Sequence, residues 1–213
     1  MDFDYSVNYT LKSRISVSIS SANRITVNCP LGCPVSVIEE FLERKSSWIN
    51  GVLKKNAVKL SENEDVLSFE KIYVEGKKVP LIMNGGKYGI FDDGVYIGDF
   101  VKIEYLYKDK FTQPFLEKVQ KIADRCKIKY GYAKIDDYVS IWGCCNARGY
   151  ICFNYKVFML SPKLQEYVII HELCHFKHMD HSKEFWALVE KFMPDYREAK
   201  KQLKKFDFIT RLY

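Results

Sequence analysis

The sequence predicts an α+β fold in which a β-rich N-terminal region precedes a mainly helical C-terminal half. The segment from Val66 to about Ile103 is rich in β-branched and aromatic residues interrupted by glycine, which is typical of strands and turns. The second half instead carries helix-start signals followed by apolar residues at helical spacing. We therefore predict an N-terminal region at 1–108 and a second domain at 109–213, divided at the polar segment Lys108-Asp109-Lys110.

The N-terminal region begins with strand periodicity. Apolar residues alternate with serine over residues 15–20, and residues 24–27 have the composition of a strand that returns beside them. One helix is predicted at Ser36–Lys55, because the interval from Ser36 to Glu39 is that of a capping box. The first part of the chain is thus predicted to be a hairpin followed by a helix.

Glycine-containing turns divide the strand-like segment that follows this helix. Glu75-Gly76-Lys77 and Asn84-Gly85-Gly86 both have the composition of hairpin turns. We therefore predict a small antiparallel sheet in this part of the chain.

The second half opens with a helix that we predict to begin near Pro114, because proline suits the first helical position. Its buried stripe consists of Phe115, Val119, Ile122 and Cys126. Strand-like segments follow around Tyr138–Trp142 and Tyr150–Asn154, and a turn at Asn146–Gly149 joins them. One helix and two strands are therefore expected ahead of the histidine-containing region.

Two serines mark the starts of the later helices. Ser161 and Pro162 have the order of an N-cap and a first-turn proline, and the helix that they open contains a cluster of histidines. Ser182 has the same capping role for a further helix, which Pro194 interrupts before a basic helical tail.

All four histidines of the chain lie between residues 171 and 181. On a helix, His171 and His175 share one face with their Cβ atoms about 5–6 Å apart, so both imidazoles can bind one zinc ion. Glu172 lies about 100° around the helix, where its carboxylate can hold a zinc-bound water and take its proton. The pattern predicts one catalytic zinc ion per chain, with Glu172 as the general base.

A catalytic zinc site usually has three protein ligands and one open position, so a third ligand is needed. His178 and His181 compete for this place. His178 stands two turns from His171, about 10 Å along a continuous helix, which disfavours convergence on the same ion. If the chain bends after about His178, His181 can reach the metal, and Asp180 tolerates the turn conformation that such a bend needs. The spacing therefore favours His181.

Composition restricts the class of protein. The hydrophobic content of 47% and the aromatic content of 15% are typical of a folded globular chain. Met1–Ser6 lacks the basic and apolar regions of a secretory signal, and no apolar run approaches the roughly 18 residues that span a bilayer. Seven cysteines without a signal peptide are more typical of reduced thiols than of a disulfide framework. We therefore expect a cytoplasmic protein with no membrane partner.

The net charge of +6 permits contact with nucleic acid but does not by itself indicate it. The basic tail contains Lys200, Lys201, Lys204 and Lys205. These lysines either touch phosphates or form the solvated face of a terminal helix, and the solvated face is the favoured interpretation.

The adjacent Cys144 and Cys145 also have two interpretations. One of them as a thiolate on the zinc would hold the enzyme inactive. Free cysteines are more commonly buried as small apolar side chains, so packing is favoured over such a latch.

The sequence resembles the YgjP-like and WLM-type zinc metallopeptidases, which are relatives of the SprT-like group. The resemblance rests on His171-Glu172-Leu173-Cys174-His175, on His181–Trp186 and on Met193–Tyr196. It extends upstream through Trp142–Cys145 and Phe153–Tyr155, and the N-terminal hairpin and helix also resemble the leading segment of this family.

This resemblance implies a zincin-like fold with the histidines on its active-site helix. It implies His171, His175 and His181 as the zinc ligands and Glu172 as the catalytic base. It also implies that the strand near Tyr150–Asn154 borders the cleft, where an extended substrate can pair with the edge of the sheet.

The expected function is therefore zinc-dependent hydrolysis of peptide bonds in a peptide or protein substrate. The alternative is a zinc-stabilised, non-catalytic binding module, with nucleic acid as one candidate partner. A fourth protein ligand on the metal would favour this alternative, whereas Glu172 argues against it, because a purely structural site needs no base.

Overall fold

The structure, a computed structural model, describes residues 3–11, 13–20, 23–83, 86–98 and 102–212. The chain divides into two compact units, Met1–Glu64 and Asp65–Tyr213. The predicted boundary between residues 108 and 109 differs from this division, because it falls inside a helix of the second unit. The strands between residues 71 and 97 belong to the second unit, because their apolar side chains share its hydrophobic core.

The first unit is a three-stranded sheet packed against one long helix. It consists of β1 (Tyr5–Thr10), β2 (Ser16–Ile19), β3 (Ile25–Pro30) and α1 (Val35–Glu62). The central strand is β3, which pairs parallel with β1 and antiparallel with β2. The β2–β3 pair is the predicted hairpin, whereas β1 was not predicted. The core of the unit is formed by Ile25, Val27, Cys29, Ile38, Leu42 and Ile49.

Helix α1 is longer than the predicted Ser36–Lys55. Its N-cap is Pro34 and no side chain caps it, so Ser36 lies in the first turn and is not the cap residue that the capping-box spacing predicted. No proline or glycine stands between Lys55 and Asn63, so the helix can continue past the predicted end.

A four-stranded sheet follows the short helix α2 (Glu64–Leu67). Its strands are β4 (Lys71–Val74), β5 (Lys77–Met83), β6 (Gly89–Phe91) and β7 (Gly94–Ile97), in the order β4-β5-β7-β6. The predicted turn between β4 and β5 is present, with φ of 48° at Glu75 and 85° at Gly76. The pairing of β5 with β7 is parallel, so the sheet is not purely antiparallel as predicted. Of the other predicted turn, Asn84 and Gly85 lie outside the described residues.

Helix α3 (Ile103–Cys126) begins well before the predicted start at Pro114. Pro114 lies inside the helix, where it removes one backbone N–H donor. The helix continues through it because Leu106 and Tyr107 upstream are buried in the same core as the predicted stripe downstream. The Tyr107 hydroxyl also donates to the backbone carbonyl of Tyr73 at 2.6 Å. Tertiary packing here outweighs the helix-breaking tendency of proline.

The second sheet contains β8 (Tyr132–Asp136), β9 (Gly143–Cys145) and β10 (Tyr150–Asn154), in the order β8-β10-β9. The prediction of a strand at Tyr138–Trp142 is wrong, since this segment is a loop. A side chain holds the loop, because the Asn154 Nδ2 amide donates to the carbonyls of Tyr138 at 2.6 Å and Ile141 at 2.8 Å.

Strand β10 is not the open edge at which the resemblance implied that a substrate would pair. It is paired on both sides, parallel with β8 and antiparallel with β9. Over the described ranges, β9 pairs only with β10 and is an edge strand. It is β9 that contacts the helix carrying the first histidines.

Helices complete the second unit. A 3-10 turn at Tyr155–Met159 leads to α4 (Pro162–Cys174), α5 (Lys183–Phe192), α6 (Tyr196–Leu203) and a last 3-10 turn at Ile209–Arg211. Ser161 occupies the N-cap position of α4, as predicted, but its side chain makes no capping hydrogen bond. Ser182 caps α5, also as predicted, by accepting a hydrogen bond from the Phe185 N–H at 3.3 Å. None of the helices in the described part of the chain is long and apolar enough to cross a bilayer.

Candidate metal centre

Three of the four histidines meet at one point of the second unit. One ring nitrogen each of His171, His175 and His181 lies within 4.8 Å of the other two. The Nε2 atoms of His171 and His181 are 3.1 Å apart. The spacing in the sequence predicted these three residues as ligands, and the fold brings them together.

The end of α4 decides which histidine joins His171 and His175. The helix stops at Cys174, with His175 as its C-cap, and the chain then turns back. The turn is held by a hydrogen bond from His175 Nδ1–H to the His178 carbonyl at 3.0 Å and by one from the Ser182 N–H to Asp180 Oδ1 at 3.4 Å. His178 thus contributes its carbonyl to the turn, and its ring is not part of the histidine group.

The protonation of the histidines suits metal binding. Burial, reinforced by the neighbouring histidines and Lys200, lowers the pKa of His171 to about 3. Burial also lowers the pKa of His175, and the proton on its Nδ1 leaves Nε2 with a free lone pair. These imidazoles are therefore neutral at physiological pH, which is the form that binds a metal ion.

One pair of nitrogens in this group has the spacing of two ligands on a single zinc ion. Two nitrogens that each lie about 2.0–2.1 Å from such an ion are about 3.3 Å apart, close to the separation of the His171 and His181 nitrogens. Without an ion, two acceptor nitrogens at this distance repel each other unless one carries a proton. The His178 carbonyl accepts a hydrogen bond from His175 Nδ1–H. In metal sites, such a hydrogen bond to the other ring nitrogen fixes the tautomer of a histidine ligand.

Aromatic side chains of α5 hold the rings in position. Phe185 stacks on His175 with a centroid distance of 4.5 Å, and Trp186 stacks on His181 at 5.6 Å. Trp186 is itself stacked on Tyr196 of α6 at 5.4 Å. The Ser182 cap that starts α5 therefore also positions the aromatic wall of the histidine group.

Glu172 lies beside the histidines and outside their group. Its side chain is buried, with 6% of the residue exposed, and burial raises its pKa to about 8. Gly143 of β9 packs directly on it, since a Cβ atom at residue 143 would lie 2.9 Å from Glu172 Cγ. The carboxyl is thus held between α4 and the edge strand, and a cation placed at the histidines would favour its ionised form.

A cavity of about 280 Å³ opens beside Glu172 and His171. Its apolar wall is formed by Ile141, Trp142, Val168 and Leu203. The lining also includes the polar residues Tyr167, Lys200, Lys204 and Asp207. Trp142 is held in this wall by a hydrogen bond from its Nε1 to Asp207 Oδ1 at 3.2 Å.

The cysteines considered as a latch do not join the histidine group, which contains no thiol among the described residues. Burial, together with Glu172, raises the pKa of Cys145 to about 12, and burial likewise raises the pKa of Cys144. Cys144 lies opposite Cys152 in the β9–β10 pair. The thiols of Cys144 and Cys145 are therefore protonated packing groups, the interpretation that the sequence favoured.

Sequence reasoning missed Gly143 and Lys200 as parts of this site. Gly143 was noted only as part of the segment Trp142–Cys145, which resembles the metallopeptidase family. Lys200 was noted only as part of the basic tail. Neither carries a local signal, because each reaches Glu172 or His171 from a distant segment of the chain.

Known proteins with similar sequences or structures indicate the family of this chain. The family model described as YgjP-like, metallopeptidase domain, matches residues 13–206. No curated protein gave a significant match. Among solved structures, the chain is similar to the crystal structure of the metallopeptidase zymogen of Pyrococcus abyssi abylysin, with 23% sequence identity and a TM-score of 0.39. That similarity covers 42% of this chain and 90% of the other.

Proposed function

The chain belongs to the YgjP-like metallopeptidase family, and from this premise we propose that it is a zinc-dependent hydrolase of peptide bonds with a zincin-like catalytic domain. His171, His175 and His181 would hold one zinc ion, and Glu172 would act as the general base. The observation that carries the proposal is the convergence of three imidazole nitrogens beside a buried carboxyl that is not one of the group. A site built only for stability has no use for such a carboxyl.

Zinc, when bound, supplies a Lewis acid that polarises a carbonyl and acidifies water. The Glu172 carboxylate takes a proton from the attacking water as the oxygen bonds to the peptide carbon. It then gives that proton to the amide nitrogen as the C–N bond breaks, so the leaving group departs as an amine. Burial against Gly143 keeps the carboxylate in one place for both transfers.

The substrate would bind as an extended peptide along β9. This strand is the edge of its sheet, and it contacts α4 beside Glu172. Backbone hydrogen bonds to a sheet edge provide affinity without demanding particular side chains. Side-chain preference would then come from the cavity beside Glu172.

We further propose a cytoplasmic location, because all seven cysteines are free thiols and reduced cysteines are typical of that compartment. A fourth protein ligand on the metal would favour the sequence-based alternative of a non-catalytic zinc module. Among the described residues, the candidate metal-binding group contains three histidines and no fourth protein ligand.

The test compares the zinc-loaded wild-type protein with Glu172→Gln. Both should bind one zinc ion per chain by elemental analysis, and only the wild type should cleave a mixed peptide library followed by mass spectrometry. Glu184→Gln is the matched control, because Glu184 is exposed on α5 and should leave cleavage unchanged. Cleavage by Glu172→Gln at the wild-type rate would show that Glu172 is not the base.

A further inference from the structure

The cavity beside Glu172 has room for one substrate side chain. Its volume of about 280 Å³ is smaller than the pockets that enclose drug-sized ligands. It shares Glu172 and His171 with the candidate metal centre, so a group bound there lies next to the reacting bond. The identity of its lining therefore determines which substrate residues fit at that position.

Two lysines distinguish this lining from a simple apolar pocket. Lys200 and Lys204, both from the C-terminal end of the chain, line a cavity whose acidic groups are Glu172 and Asp207. The Asp207 carboxylate already accepts a hydrogen bond from Trp142 Nε1. The side chains of two lysines thus line an otherwise largely apolar cavity.

Lys200 is the lysine closer to the histidines. Its ammonium lies 3.7 Å from the centroid of the Trp186 ring, and its charge contributes to the low pKa of His171. Within the described part of the chain it forms no ion pair with a carboxylate. Burial and the neighbouring Lys204 lower the pKa of Lys200, so its charged form, although it lies over the Trp186 ring, lacks compensation by an anion. A carboxylate brought into the cavity would provide it.

We propose that this cavity is a substrate subsite that binds a carboxylate through the Lys200 ammonium, while Trp142 and Leu203 contact the aliphatic part of the same residue. The carboxylate is either the side chain of a glutamate or aspartate near the cleaved bond or the C-terminal carboxylate of the peptide. Both present the same anion to the same lysine. This inference rests on the proposed peptidase function and makes Lys200 a specificity residue of that site.

The test uses a peptide that the zinc-loaded wild-type protein cleaves. It is resynthesised with each acidic side chain changed to its amide, and separately with an amidated C-terminus. One of these changes should lower kcat/KM by about tenfold or more, mainly through KM, because a charge-assisted contact made equally in the ground state is lost. Sensitivity to a side-chain amide identifies an acidic residue, and sensitivity to the amidated terminus identifies a terminal carboxylate.

The same peptides are then given to Lys200→Met, Lys200→Arg and Lys201→Met, with zinc content measured for each. Lys200→Met should cleave the acidic peptide as poorly as its amide, whereas Lys200→Arg should recover part of the preference. Lys201→Met is the control, because Lys201 is exposed on the same helix and should retain the full preference. A preference that is absent from the wild type, or that persists unchanged in Lys200→Met, would overturn the subsite.

Failure of the peptidase proposal would look different, because no peptide would be cleaved by the zinc-loaded wild type. In that case calorimetry of the acidic and amidated peptides on the wild type and Lys200→Met decides the subsite alone. Carboxylate-dependent binding that is lost in Lys200→Met supports it. Binding that survives in Lys200→Met places the carboxylate on the metal and overturns it.

Discussion

Gly143 lies directly against the carboxyl of Glu172. A Cβ atom at residue 143 would be 2.9 Å from Glu172 Cγ and 3.0 Å from its Oε1. Gly143 is not among the glycines with positive φ, so the need for glycine here arises from space and not from backbone conformation. The edge strand thereby sets the position of the proposed base, although the two residues are far apart in sequence.

Replacing Gly143 by alanine should therefore displace the Glu172 carboxylate and leave the metal ligands in place. We expect zinc binding to be retained and kcat for peptide cleavage to fall by about tenfold or more, because a small misplacement of a catalytic group is costly. Steady-state kinetics and elemental analysis of the same preparation measure both quantities.

Gly51→Ala is the control for this substitution. A Cβ atom at residue 51 meets nothing within 4 Å, and the residue lies inside α1. Alanine there should keep full activity and stabilise the helix by up to about 1 kcal/mol. Full activity in Gly143→Ala would mean that the position of Glu172 does not depend on the strand.

His181→Ala should abolish stable zinc binding, whereas His178→Ala should not. His178 contributes only its backbone carbonyl to the turn, and alanine preserves that carbonyl. With zinc at about 100 times its Kd, binding stabilises the folded protein by about 2.7 kcal/mol, so wild type and His178→Ala should show a rise in Tm that His181→Ala lacks. Zinc-dependent stabilisation of His181→Ala equal to that of the wild type would exclude His181 as a ligand.

The metal-free protein should have a pH-dependent stability that Glu172 causes. Its folded-state pKa of about 8 lies above the ordinary value of 4.5, so between these values the folded protein binds more protons than the unfolded protein. The free energy of unfolding should therefore fall as pH rises through this window, by at most about 1.4 kcal/mol per pH unit.

Denaturant titrations of the metal-free wild type and Glu172→Gln measure this effect. The variant should gain stability over the wild type as pH rises from 4.5 to 8, while contributions common to both proteins, such as that of His171, cancel. A difference that does not change with pH would mean that the Glu172 carboxyl is solvated in the metal-free protein.

Lys156 should stabilise the loop that carries the cavity wall. It is 1% exposed, and its ammonium donates to Asp137 Oδ1 at 2.7 Å and to the carbonyls of Tyr138 at 3.3 Å and Thr210 at 3.2 Å. Lys156→Met removes the ammonium that donates to the Thr210 carbonyl and the Asp137 carboxylate, whereas the Tyr138 carbonyl keeps its hydrogen bond from Asn154 Nδ2. We expect the free energy of unfolding to fall by about 2–3 kcal/mol. This loss is small for a buried ion pair, because the Asp137 carboxylate is partly exposed and remains solvated without Lys156.

Lys134→Met provides the comparison for this prediction. Lys134 forms a 2.6 Å ion pair with Asp136, but both side chains are 43% exposed. Solvent screens such a pair, so its removal should cost no more than about 1 kcal/mol. Equal losses for the two variants, measured by chemical denaturation, would contradict a special role for burial at Lys156.

Several elements of the fold could be predicted from the sequence, because their determinants lie within a few neighbouring residues. The β2–β3 hairpin, the Glu75-Gly76 turn and the caps at Ser161 and Ser182 follow from periodicity and turn chemistry within a few residues. The start of α3 could not be predicted, because Pro114 locally favours a helix that begins there. Burial of Leu106 and Tyr107 extends the helix upstream instead. The strand expected at Tyr138–Trp142 failed for a similar reason, since side chains of Asn154 and Lys156 bind that backbone instead of a neighbouring strand.

The sequence by itself determined the pairing of His171 with His175 and the place of Glu172 beside them, because helical geometry alone sets positions four residues and one residue apart. Only the tertiary structure decided the rest of the site. The turn after Cys174 brings His181 to the other histidines, β9 presses Gly143 against Glu172, and α6 adds Lys200 to the cavity. These contacts join segments that no local periodicity relates, so they exist only once the core of the second unit has formed.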